Sequence, residues 1–163
     1  MTRRTRARVI GIGNRWRGDD AAGLLAARRV RELASEEIEV TELEGEPIRM
    51  LDAFEEAGTV IVLDAVSSGS EPGTLHRVDA QAERLPARLG GPSTHALGLA
   101  ETIELGRSLG SLPQRLVVYG IEGARFHMSD RVSPAVADAV EEAAAAAIGE
   151  VQGPALRSSR GSS

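Results

Sequence analysis

Residues 59–63 read TVIVL, a run with no charge, no glycine and no proline. A strand with one wet face alternates apolar and polar side chains, whereas a strand covered on both faces does not. The run therefore predicts a strand near the centre of a parallel sheet, with helices on either side. The rest of the chain supplies the other parts in alternation. Residues 8–13 and 37–43 read as strands, 74–78 as a further short strand and 115–121 as the last. Ala26, Val30 and Leu33 recur at helical spacing and predict a helix over 21–33, and Pro47 opens another over 48–57. Two more helices are expected, from His95 to near Leu109 and from Pro134 to near Ile148. The fold class is thus α/β: a three-layer α/β/α sandwich around a twisted, mostly parallel sheet.

A chain of 163 residues can bury about 70% of its unfolded surface in one core. A single domain is expected over 1–151, and 152–163, rich in Gly, Pro, Arg and Ser, reads as a disordered tail. Composition then removes several chemistries. A net charge of −5 and 2% aromatic residues offer neither a general basic footprint nor stacking rings, so no nucleic-acid partner is expected. All 19 basic residues are arginine, which excludes lysine nucleophiles, and the absence of cysteine excludes thiolate catalysis and disulfides. Carboxylates, hydroxyls and three histidines remain. Residues 9–13 are too short for the apolar part of a secretory signal and no run approaches a membrane span, so a cytoplasmic protein with no membrane partner is expected.

The densest signal is 9–23, VIGIGNRWRGDDAAG, in which a strand enters a Gly-Asn turn and a helix start carries two acids. Gly11 and Gly13 resemble the opening of a phosphate cradle, but the GxGxxG and Walker spacings are absent. Asp19 and Asp20 also stand where a phosphate would need positive potential. The loop suits a cation or an oriented carboxylate better than a phosphate. The plainer reading is that the pair caps the helix and complements its dipole.

In open α/β sheets ligands bind beyond the carboxyl ends of the strands. Asp64 directly follows TVIVL, and Asp20 belongs to the equivalent edge of the first strand, so both can face one crevice. A carboxylate at the end of a buried strand is costly unless it caps, pairs or binds. His95 falls one turn before Leu99 and points with the apolar face toward the sheet. Alone, it reads as a hydrogen-bonded core residue; with Asp20 and Asp64 it completes a set of two carboxylates and one imidazole able to neutralise a divalent ion. His76 and His127 have no such partners in the pattern and read as surface residues. Glu44, Glu46 and Glu122 lie near strand ends and read as solvated. Trp16 reads equally as a lid or as an anchor for a partner. Ser67 and Ser68 lie in an ordinary loop, and no GxSxG elbow supports a Ser-His-Asp mechanism.

Four segments taken together resemble the hydrogenase maturation endopeptidases, which process the large subunit of nickel-iron hydrogenases. They are GIGNRWRGDDAAG, IVLDAVSSGSEPGTL, STHALGLAETIEL, and VVYGIEG with RVSPAV. They cover most of the chain in the family's order. The resemblance implies removal of a C-terminal extension from a hydrogenase large-subunit precursor after nickel is loaded. It implies nickel-binding positions at Asp20, Asp64 and His95, the metal arriving with the substrate, and Asp19 as an accompanying acid. Ala21 and Ala22 stand where the family often has glycines. Glu44-Gly45-Glu46-Pro47 replaces its acidic Gly-Gly-Thr turn, which bears on which precursor is recognised. The competing expectation is a non-proteolytic accessory protein that recognises an immature metalloenzyme.

Overall fold

A computed structural model describes residues 7–55, 57–89 and 98–160, the side chains of Arg88 and of 153–160 excepted. Five strands form one sheet: β1 (Ala7–Ile12), β2 (Ile38–Leu43), β3 (Thr59–Val66), β4 (Leu75–Asp79) and β5 (Arg115–Glu122). Their order is β2-β1-β3-β5-β4. All neighbours are parallel except β4 on β5, so the sheet is mostly parallel with one antiparallel edge. Four α-helices cover it: α1 (Ala22–Leu33), α2 (Pro47–Glu55), α3 (Leu99–Ser108) and α4 (Pro134–Arg160). The expected three-layer arrangement is the observed one.

The central run behaves as its composition requires. Within β3, Ile61 and Leu63 enter the core beneath α1 and α4, while Val60 and Val62 enter the core beneath α2 and α3. All four have no exposed surface. Small residues let α1 and α4 lie close to the sheet and to each other, with Ala26, Ala27, Ala143, Ala144 and Ala147 fully buried. On the other face Met50 and Phe54 of α2 and Ile103 of α3 fill the larger gap. Truncating a buried Phe costs about 3–5 kcal/mol in such a core.

Glycine sets how tightly α1 meets the strands. A Cβ on Gly23 would stand 2.3 Å from the Leu63 carbonyl oxygen and 2.4 Å from that of Ile12. The first turn of α1 thus rests on the end of β1 and on the middle of β3. Gly13 has φ 154°, and a Cβ there would meet the Asp20 carbonyl oxygen at 2.0 Å. The acidic segment 18–21, a short 3₁₀ turn, is therefore folded directly over the end of β1.

Two expected boundaries move. Strand β3 continues through Asp64 to Val66, because Asp64, Ala65 and Val66 pair with Gly120, Ile121 and Glu122. Helix α4 continues past Ile148 and Gly149 and through the expected tail to Arg160. Gly149 interrupts the sequence pattern without stopping the helix. Val151 still packs on the core, and Glu150 meets the guanidinium groups of Arg77 and Arg115 and accepts a 2.7 Å bond from the Tyr119 hydroxyl.

Candidate active site

The chain leaves β1 toward β2 on one side and returns to β3 on the other, so the strand order reverses between β1 and β3. Loops diverge at such a point and open a crevice at the carboxyl ends. Asp20 follows β1 and Asp64 lies near the end of β3, which puts both acids at this reversal. Alternation along β3 puts Asp64 on the same face as Val62 and Val66, toward α2 and α3. Both acids are partly exposed. Burial pushes the Asp64 carboxyl well above the usual carboxylate range, and the nearby charge of Asp20 pushes it further. The two carboxylates therefore sense each other, as expected of residues sharing one crevice.

Asp19 turns the other way. It has no exposed surface and does not cap α1, whose start has no side-chain cap bond. Its carboxylate instead accepts bonds from the backbone N–H groups of Ala124 (2.8 Å), Arg125 (2.9 Å) and Ser133 (2.7 Å), and from the Ser133 hydroxyl (2.8 Å). Burial alone would raise its pKa, but the bonds from Ser133, Ala124 and Arg125 outweigh burial and hold it below the ordinary value. Asp19 thus ties the first loop to the segment joining β5 to α4, and leaves its neighbour Asp20 for the crevice.

Glu122 overturns its solvated reading, and His76, read as a surface residue without partners, is partly buried and has one. Glu122 is 1% exposed and accepts bonds from the backbone N–H of Ser68 (2.8 Å) and from the Ser68 hydroxyl. The Nε2 of His76 lies 3.1 Å from the same carboxylate. Burial works to raise the Glu122 pKa, but the two bonds from Ser68 and the His76 contact carry it below normal. Asp64 and His76 both oppose Gly120 in register, so the imidazole flanks the row that holds Asp64. The Ser68 hydroxyl donates to Glu122 rather than to the imidazole, which is not the arrangement of an activated serine. Nothing in the sequence marked Glu122 except its place at a strand end. His127 is exposed, as expected, and so is Glu44, while Glu46 is partly exposed and pairs with Arg49 at 3.1 Å.

His95 lies outside the described residues; the described backbone resumes at Gly98, just before α3. Among the described residues, no three His, Asp or Glu side chains converge as a metal-binding group. What is assembled is a like-charged carboxylate pair at a strand-order reversal. Flanking it are two buried acids, Asp19 and Glu122, whose hydrogen bonds fix the neighbouring loops.

An α/β sandwich with paired acids at the carboxyl ends of its strands is a class with many hydrolases and binding proteins. The comparisons narrow it. The sequence pattern of the hydrogenase maturation proteases matches residues 26–150, a span that contains Asp64 and His95 and begins inside α1, after the acidic turn. The chain belongs to the hydrogenase maturation protease family. It is 30% identical over 161 residues to the hydrogenase expression/formation protein HupD of Rhodobacter capsulatus, covering 96% of this chain and 76% of the relative. It is 28% identical over 146 residues to HupD of Thiocapsa roseopersicina, covering 82% of this chain; it spans 65% of that relative's length. The hydrogenase maturating endopeptidase HybD of E. coli superposes with a TM-score of 0.74 at 25% identity, over 94% of this chain and 93% of that one.

Proposed function

We propose that this protein is an endopeptidase that removes a C-terminal extension from a nickel-loaded hydrogenase large-subunit precursor. Asp20, Asp64 and His95 contact the nickel that the substrate carries. Family membership supports the reaction class, and one observation carries the site: Asp64 sits at the strand-order reversal with its carboxyl raised by burial and by Asp20. Two carboxylates that disfavour each other's charge are a natural receptor for a divalent cation, since the cation relieves both costs. The donor set fits the metal's expected exchange. Oxygen ligands with a single imidazole lack the thiolates of closed structural sites and suit an ion that arrives and leaves with a substrate.

The roles of the chain's own groups follow. Asp64, whose ionisation is disfavoured by burial and by Asp20, would gain from a cation that offsets both. Asp20, on the 3₁₀ turn over β1, faces the same ion from the neighbouring strand end. Asp19 and Glu122 keep the two loops still, so that the carboxylates need not reorganise on binding. The delivered metal supplies a recognition point for the precursor and a charge able to polarise a carbonyl or a water.

The test is a processing assay on nickel-loaded precursor, read by the mass of its C-terminus. Wild-type protein should produce one defined truncation. His95→Ala and Asp64→Asn, shown by circular dichroism to be folded, should lower the rate about a hundredfold or more. Normal rates in both variants would remove the three residues from the site. Binding of the precursor by wild-type protein without any truncation would establish the accessory-protein reading instead.

A further inference from the structure

Beside the two acids the fold presents a surface whose charge is opposite to theirs. Residues 14–18, after β1, and 124–131, after β5, form one rim. The Ser129 N–H donates to the Trp16 carbonyl oxygen at 2.9 Å, the Gly18 N–H to that of Ser129 at 3.0 Å, and the Asp19 N–H to that of Arg125 at 2.7 Å. The buried Asp19 carboxylate fastens the same segments from below. On this fixed backbone, Phe126 turns inward against the core while Trp16 (53% exposed) and Met128 (78% exposed) stand out in solvent. The Arg15 guanidinium lies 4.6 Å from the centre of the Trp16 ring. Arg15, Arg125 and Arg131 are exposed and Arg17 is partly so, and among the described residues none of the four pairs with a carboxylate. Asp130 is the rim's lone exposed acid.

A protein of net charge −5 has placed four arginines and two large apolar side chains on one rigid ledge. The ledge is continuous with the crevice, since the Asp20 N–H donates to the Arg17 carbonyl oxygen at 3.1 Å. Exposed Trp, Met and Arg on a preorganised backbone are the residue types that dominate binding at protein interfaces. Arginine beside tryptophan also keeps its donors free for carboxylates while its plane stacks on the ring.

We propose that this ledge docks a segment of the precursor that carries an apolar side chain flanked by carboxylates and lies next to the metal. This inference rests on the precursor-processing function above and names what the enzyme reads besides the ion. The protein then recognises a paired pattern, with the cation on Asp20 and Asp64 and an acidic, apolar stretch on the arginine–tryptophan ledge. Opposed charges on adjoining surfaces also fix the orientation of the incoming chain, since reversing it brings cation to arginine and carboxylate to aspartate.

The experiment compares the full-length wild type with Trp16→Ala/Met128→Ala and with Arg15→Glu/Arg125→Glu. For each, precursor binding is measured by biolayer interferometry and processing as kcat and KM. Both double variants should keep the wild-type circular dichroism and a kcat within about twofold, while Kd and KM rise about tenfold or more. Wild-type kcat/KM should fall with added salt, and the charge-reversal variant should flatten that dependence. Unchanged Kd, KM and salt dependence in both folded variants would overturn the ledge. So would a wild-type dimer in sedimentation that Trp16→Ala/Met128→Ala dissolves, because the face would then belong to a second copy. A wild type that binds precursor but never cuts it overturns the endopeptidase reading alone; the ledge then stands or falls on the binding constants.

Discussion

At the scale of single residues, the two adjacent acids of the first loop have opposite energetics, and the difference is measurable. Asp19 is charged, buried and hydrogen-bonded, and its pKa lies below the ordinary aspartate value. It therefore stabilises the fold above about pH 4, and that contribution is lost as the pH falls through the lowered folded value. Asp19→Ala should cost about 3 kcal/mol in urea unfolding at pH 7, since it strands buried N–H groups of Ala124, Arg125 and Ser133. The deficit should shrink as the pH is lowered below about 4, where aspartate in the unfolded chain takes up its proton. A constant deficit across that range would mean that packing, not charge, is what Asp19 supplies. Asp64 has the opposite sign. Its raised pKa means that ionisation costs stability as the pH rises above the ordinary aspartate value, up to the folded one. Asp64→Asn should therefore gain about 1 kcal/mol at pH 7 while processing falls about a hundredfold or more. Loss of stability in that variant would contradict the like-charge account of the crevice. The nearness of Asp20 and Asp64 at the ends of β1 and β3 was legible in the sequence, because a carboxylate at the end of an apolar strand has few inexpensive explanations. The sequence set Asp19 apart from Asp20 only as an accompanying acid, without its structural role, since the groups that claim Asp19 arrive from residues 124–133. Glu122 was misread for the same reason: its partners Ser68 and His76 are distant in sequence, and an acid ending a strand looks solvated until they are in place.

Elements hold these residues in place through the contact of α1 with the sheet. The Leu63 and Ile12 carbonyl oxygens already approach Gly23 as closely as a hydrogen atom allows, and both are backbone atoms that cannot swing aside. Gly23→Ala should push the first turn of α1 outward, at a cost of about 3 kcal/mol in thermal or urea unfolding. Because that turn continues directly from the one carrying Asp20, processing should fall more steeply than stability alone explains. An active Gly23→Ala protein with wild-type stability would show that α1 does not set the crevice. Element boundaries were less legible than element types. TVIVL identified β3, but the strand also includes Asp64 to Val66, where pairing with β5 continues after the apolar pattern ends. Helix α4 outran its expected end because glycine costs a helix only about 1 kcal/mol, less than Val151 and the Glu150 contacts return.

Across the whole molecule, the candidate site is polarised along the strand direction. At the carboxyl edge lie the carboxylate pair, the two buried acids that brace it and the arginine–tryptophan ledge; the amino edge carries the turns from α1 into β2 and from α3 into β5. The alternation of strands and helices made this layout legible in advance, since a parallel sheet gathers the loops that follow its strands on one side. The antiparallel β4 was not legible from its own five residues, and its pairing with β5 is what brings His76 beside Glu122. Polarity of this kind predicts an asymmetric response to insertion. A Gly-Ser-Gly insert between Glu36 and Glu37 lengthens an exposed turn at the amino edge, where both side chains face solvent. Loop closure makes that change cost about 1 kcal/mol or less. The same insert between Arg15 and Trp16 also lies in exposed chain, so the protein should fold, with a melting temperature within a few degrees of wild type. Yet it displaces the ledge from the Ser129 bridge, and with it the turn that presents Asp20. Processing of nickel-loaded precursor should survive the first insertion at the wild-type rate and fall at least tenfold with the second. Equal rates in the two folded proteins would mean that substrate does not enter over the carboxyl edge, and would move the active site away from the β1–β3 reversal.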